Sequence, residues 1–359
     1  MPTKRLLIAV LKIGISLAIL GYLFNKARSD QSFAELWEGH KRWDLLAAAT
    51  LAGLAAAAIS FARWFLLFHA VQVPASLKEA FRLGFLGYLF NFFSVGVIGG
   101  DVLKAVMLAR QHPGRRAATV ASVVFDRVIG LYAMFVVATI AFCFVDWKGV
   151  QARDPKLLAA VDNVCQATLW LTVIGTIGLI TMFIPAFTRG GIWPWVFRLP
   201  KIGRIAEQLV EAVRLYQSRI GLVVVALLMS FCVHGFSTLC IYWAALGLPG
   251  NEPSLGMHFV IVPISLVAGA VPLPGGIGAF EFALDFLYRG VSSVAVAERQ
   301  GFVVALAYRA ITMLIAAIGL AYYFTSRREV VAGIHEAEAN EESAAQVADT
   351  LQCGITSSP

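Results

Sequence analysis

Two stretches decide the fold: Phe81–Arg110 reads FRLGFLGYLFNFFSVGVIGGDVLKAVMLAR, and Met257–Tyr288 reads MHFVIVPISLVAGAVPLPGGIGAFEFALDFLY. Both are apolar, yet each is broken near its middle by glycine or proline. Neither makes one clean helix across a hydrocarbon core of about 30 Å. Each instead predicts two short helices meeting at a glycine turn, as in a re-entrant hairpin that enters and leaves on one side. Broken backbone at membrane depth is tolerated only where protein or a water-filled cavity satisfies its polar groups.

Around these stretches lie six unbroken apolar runs: Leu6–Phe24, Leu45–Val71, Ala117–Val145, Ala167–Phe187, Gly221–Leu246 and Phe302–Phe324. Each is long enough to cross a bilayer as a helix. The expected fold is therefore an all-α polytopic membrane protein with six full spans plus two re-entrant helical hairpins. Composition agrees: of 359 residues 59% are hydrophobic and 14% charged, against about 45–50% and about 25% in soluble domains. That excludes an ordinary soluble globule. The first run resembles a signal peptide but is too long for one and lacks a small-x-small cleavage site, so it reads as an uncleaved anchor.

The net charge of +7 lies in loops beside apolar runs, as expected for contact with anionic headgroups, and no nucleic-acid-reading motif accompanies it. With an inside N-terminus the inner side receives sixteen basic residues and the outer side nine, in keeping with the positive-inside rule. Residues 329–359 carry six acids and no Lys or Arg and read as a disordered cytoplasmic tail beyond a transmembrane domain of residues 1–328. Between the fourth and fifth spans, Ile202, Ile205, Leu209, Val213 and Tyr216 fall at helical steps. They predict an amphipathic helix, either in the inner interface or packed on the bundle. Cys143 and Cys165 both approach the outer face, which leaves a disulfide between them open.

The halves, about 45–146 and 220–325, look related. Gly99, Gly100 and Asp101 precede a span carrying Arg127; Gly275, Gly276 and Glu281 precede a span carrying Arg309. With one span between them turning the second half over, this predicts an inverted-topology repeat, an architecture of secondary transporters.

Intramembrane ionisable groups mark the chemistry, because a charge at a helix centre costs roughly 2.5–3.5 kcal/mol on insertion scales. Asp126 and Arg127 are adjacent and point about 100° apart on a helix, so they do not neutralise each other. Arg127 and Arg309 either pin the glycine corners by pairing with Asp101 and Glu281 or bind an anionic headgroup; a bridge that opens for the headgroup would be a gate. A helix starting after Gly99-Gly100 or Gly275-Gly276 presents unpaired N–H groups and a positive dipole end suited to phosphate. Asp101 is placed to cap the first such helix, with Lys104 one turn on as a phosphate partner. Asp126, Glu281 and Asp285 are candidates to carry a coupling proton.

The stretches VGVIGGDVLKAVMLAR (95–110), FDRVIGLY (125–132) and PLPGGIGAFEFAL (272–284) resemble the flippase-like family named after the transmembrane region of lysylphosphatidylglycerol synthases. The resemblance spans roughly residues 5–325. It implies a bacterial inner-membrane protein handling polar lipids, with flipping from one leaflet to the other as the family's role; the inside N-terminus taken above puts both termini in the cytoplasm. It singles out Gly99, Gly100, Asp101, Arg127, Pro274, Gly275, Gly276, Gly278 and Glu281. Many members carry Arg where this chain has Lys104, which keeps the charge but not the bidentate fork. The aminoacyl-transferase domain of the synthases does not follow residue 328, so lipid aminoacylation is not expected.

The leading expectation is a lipid translocase for an anionic or polyprenyl-linked polar lipid, not an enzyme. Alternatives are a membrane-embedded lipid-modifying enzyme and an envelope-assembly scaffold. There is no HExxH, no GxSxG and no nucleotide-binding motif, so no metal or cofactor is expected. The partners expected are the membrane and its lipids, not nucleic acid, and a homo-oligomer stays open.

Overall fold

The computed structural model describes residues 39–93, 99–145, 155–190, 203–250, 252–269, 278–291, 300–331 and 333. The expected first span, Leu6–Phe24, lies outside them. Every regular element among the described residues is helical: α1 (Trp43–Ala70), α2 (Leu77–Phe93), α3 (Gly100–Gln111), a 3-10 turn (Pro113–Arg115), α4 (Arg116–Phe144), α5 (Pro155–Phe183), α6 (Pro185–Arg189), α7 (Gly203–Ser218), α8 (Ile220–Gly247), α9 (Leu255–Gly269), α10 (Ala279–Val291) and α11 (Gln300–Thr325). Among the described residues five helices are long and apolar enough to cross a membrane: α1, α4 with its leading turn, α5, α8 and α11.

The central contact is α1 against α8. Both helices bring small residues to it: Ala49, Ala52 and Ala57 of α1 share one buried cluster with Cys240 and Ala244 of α8, and a Cβ at Gly53 would lie 3.3 Å from Cys240 Sγ. Small side chains let two backbones approach closely, which is how helices associate where lipid removes the hydrophobic drive. The pair is antiparallel, because Arg42 N–H donates to the Gly247 carbonyl at one end and Arg219 Nη1 to the His69 carbonyl at the other.

Neither broken stretch forms one long helix. The first gives α2 and α3, of 17 and 12 residues, and the second gives α9 and α10, of 15 and 13. All four are shorter than the roughly 20 residues that a crossing needs. Within each pair the arms run antiparallel: Gly87 meets Lys104 and Asn91 meets Gly100 in the first, while Gly269 meets Phe280 and His258 meets Tyr288 in the second. The segments between the arms, 94–98 and 270–277, lie outside the described residues.

Helix partners repeat between the halves. α2 packs on α11, and α9 packs on α4; α3 packs on α4, and α10 packs on α11. The α2–α11 crossing is close at Gly319, where Phe85 and Tyr322 stack at 6.0 Å.

Four details refine the expectations. α5 starts at Pro155, twelve residues before the apolar run; proline suits a first helical position, and Val161 and Cys165 of the added turns are buried, Val161 against Gly290 of α10. α7 packs on the bundle: Val210, Ala212 and Tyr216 are buried, the Tyr216 ring stacks 4.0 Å from Phe125 and its hydroxyl donates to the Leu67 carbonyl. Cys143 and Cys165 are free thiols. Residues 327–331 continue as helix, with Val330 buried and Glu329 3.2 Å from Arg82, so the chain is still packed where the acidic tail was expected to begin.

Candidate functional site

Two corners and one buried pair gather the intramembrane charges. The first corner forms where α3 starts beside the end of α2. Gly99 is extended and offers no side-chain cap, so the Gly100 N–H is satisfied across the pair by Asn91 Oδ1 at 2.9 Å. Gly100 has to be glycine: a Cβ there would fall 1.8 Å from the Gly87 carbonyl oxygen. Gly100→Ala is expected to cost about 3 kcal/mol or more through overpacking backbone against backbone. Thermal unfolding of the purified protein in detergent reads this; a wild-type transition would contradict the crossing.

Asp101, next in the helix, turns its carboxylate toward two cations rather than capping. Lys104 Nζ lies 2.7 Å from Oδ1, and the Arg127 guanidinium pairs with Oδ2. Lys104 is buried and its ammonium sits 5.1 Å from the Trp64 ring centroid, a cation–π placement that offsets part of its desolvation. Arg127 is the twelfth residue of α4, about 17 Å along its axis, and so near mid-depth of a span. Its side chain is 59% exposed.

The second corner has the same plan but is closed. Gly278 has φ +99°, a conformation that only glycine adopts readily. Its N–H donates to Glu281 Oε2 at 2.7 Å, so the acid caps its own helix. Glu281 Oε1 accepts from Arg309 Nε at 2.9 Å and Nη2 at 2.7 Å. Arg309 is the tenth residue of α11, about 14 Å along it. Its side chain is 19% exposed and that of Glu281 is 1%. Asp285, one turn on, is fully buried with Arg289 Nε 3.3 Å from Oδ2. Pro274, Gly275 and Gly276 lie outside the described residues.

Asp126 belongs to neither corner. Its Oδ1 accepts from Arg63 Nε at 2.8 Å, and Arg63 Nη1 donates to Ser230 Oγ at 2.9 Å. This buried triad ties α1, α4 and α8 together, and His234 of α8 adds a hydrogen bond to the Gly130 carbonyl at 2.9 Å. Adjacent Asp126 and Arg127 thus serve separate pairs, as their angular separation required.

Sequence reasoning did not pair Arg63 with Asp126 and gave Asn91 no role. A charge tally by span could have found the first, since Arg63 is the lone Lys or Arg inside α1 and Asp126 the lone acid inside α4. For Asn91 the signal was a polar residue among Phe90, Phe92 and Phe93, nine residues before Gly100.

Comparison with known proteins gives a match to the family model described as "Lysylphosphatidylglycerol synthase TM region" over residues 9–319. No curated protein and no solved structure matches the chain. A match over most of its length, joined to apolar crossing helices and glycine corners held by intramembrane arginines, places this chain in the family of the lysylphosphatidylglycerol synthase transmembrane region.

Proposed function

We propose that this protein moves a lipid with an anionic headgroup, a phospholipid or a polyprenyl-linked polar lipid, between the leaflets of a bacterial inner membrane without altering it covalently. One observation carries the reading: Arg127, its side chain 59% exposed, stands near mid-span in a group of two cations and one carboxylate at a helix start. Such a group holds an uncompensated positive charge where burial of charge is costly. A lipid phosphate cancels it, and the acyl chains stay in the bilayer.

Gly99, Gly100, Asp101, Lys104 and Arg127 would hold the headgroup from one side. Gly278, Glu281 and Arg309, with Pro274, Gly275 and Gly276, would form the matching site of the other half. The repeated packing partners support an inverted-topology repeat with two re-entrant hairpins, both termini being cytoplasmic. Rearrangement of the halves would then expose the headgroup to either leaflet in turn. Asp126, Glu281 or Asp285 would carry a proton where movement is driven by a gradient.

The purified protein, reconstituted into vesicles with fluorescent phosphatidylglycerol, is expected to make inner-leaflet label accessible to an external quencher. Lipid extracts from cells with and without the protein should contain the same species, since a translocase changes the leaflet and an enzyme changes the molecule. If no native anionic or polyprenyl lipid crosses faster than in protein-free vesicles, the reading fails.

A further inference from the structure

We propose that α8 holds a buried water molecule near mid-span, bridging the Nδ1 lone pair of His234 to the Thr238 hydroxyl. The inference stands apart from the transport reading, since neither corner contributes to it.

Three helices meet at this place, α1, α4 and α8, each packed on the other two. Ser230, His234 and Thr238 follow at four-residue steps of α8 and so share one face, and all three are buried. That face points into the junction, because Ser230 meets Arg63 of α1 and His234 meets the Gly130 carbonyl of α4. His234 is the fifteenth of the 28 residues of α8, near the middle of the span.

Two atoms on this face have no hydrogen-bond partner among the described residues, His234 Nδ1 and Thr238 Oγ1. A carbonyl only accepts, so Nε2 of His234 carries the proton that reaches Gly130 at 2.9 Å. In the neutral ring Nδ1 is then left with a lone pair. Thr238 departs from the habit of its neighbours. Thr50, Thr168 and Thr176 elsewhere in the bundle, and Ser230 and Ser237 of α8 itself, donate to the carbonyl four residues back. The fully buried Thr238 hydroxyl is turned away from that bond. Left unpaired, either atom would be costly in a membrane interior. Side chains one turn apart start about 5–6 Å from each other, a span that one water bridges with a bond to each.

Charge and size select water over an ion. Arg63 is matched by Asp126 at 2.8 Å, so this level carries no excess charge among the described residues, and an ion would bring one to the centre of the span. The turn of α4 beyond Gly130 carries Ala133. On α1, which runs back from Arg63 opposite Ser230 to Gly53 opposite Cys240, the turns between carry Ala56 and Ala57. All three alanines are buried, and side chains this small leave the most room for a water.

Thr238→Val keeps the shape of the side chain and removes the hydroxyl, so the sign of its effect decides. A hydroxyl buried dry would be relieved by the change, and the full-length protein in detergent would unfold at or above the wild-type temperature. A bridging water instead makes Thr238→Val unfold about 2 °C lower, the size of one net hydrogen bond. Solid-state NMR of the histidine-labelled protein in phosphatidylglycerol vesicles reads the site directly, with His234→Phe to assign the ring. Magnetisation is expected to pass from water to His234 Nδ1 in the wild type and to be lost in Thr238→Val. Unfolding of Thr238→Val at or above the wild-type temperature overturns the proposal. So does a wild-type Nδ1 that receives nothing from water, or a transfer that Thr238→Val leaves unchanged.

Discussion

Replacing Arg127 with glutamine is expected to slow transbilayer movement of phosphatidylglycerol roughly a hundredfold, the loss of a charge-assisted contact to the headgroup. Folding should survive, because Asp101 keeps Lys104 at 2.7 Å and its side chain is 29% exposed. Arg127→Lys should fall between, retaining the charge without the planar fork that meets phosphate with two parallel bonds. The same change at the other corner should behave differently. Glu281 is 1% exposed, so Arg309→Gln leaves a buried carboxylate with the Gly278 N–H alone among the bonds described here and should lower thermal stability as well as rate. Initial quenching rates in vesicles, normalised to folded protein, measure the contrast. A normal rate for Arg127→Gln would remove this residue from the transport site.

Asp126→Asn should give the largest stability effect, about 3–5 kcal/mol, because it leaves the Arg63 guanidinium buried without its counter-charge. Ser230 Oγ would remain as a neutral acceptor at 2.9 Å. The double variant Arg63→Met with Asp126→Leu should recover most of the loss, since removing both members of a buried pair in favour of apolar side chains is often neutral or stabilising. Thermal unfolding of the three proteins tests this. The recovered double variant also tests proton coupling: one that flips lipid with unaltered dependence on a pH gradient takes Asp126 off the list of proton carriers.

Much of the architecture was legible in the chain because membrane helices obey a simple length rule, and glycine and proline at 96–100 and 272–278 break it. The pairing of Arg127 with Asp101 and of Arg309 with Glu281 was one of two readings open from spacing, since each acid opens a helix and each arginine sits in the next span. The structure supplies the asymmetry that spacing did not contain: Asp101 lies between two cations, whereas Glu281 divides its two oxygens between one arginine and a backbone N–H. Arg63 and Asp126 are 63 residues apart on α1 and α4, and the register that brings them together comes from α1 and α4 meeting beside α8. Asn91 was hidden for another reason. Its role depends on an antiparallel crossing so close that the Gly87 carbonyl touches Gly100, and nothing in an apolar stretch announces such contact.

The exchange of walls, α2 resting on α11 and α9 on α4, means that neither half is a self-sufficient body. α4 grips one corner through Arg127 and forms a flank for the opposite helix pair; α11 does the converse through Arg309. A tilt of α4 that freed Arg127 would slide against α9, and so would couple one corner to the helix pair of the other. On the transport proposed above, two sides geared in this way would work as a seesaw, one loose at a time, so that the bilayer would stay sealed while cargo changed sides.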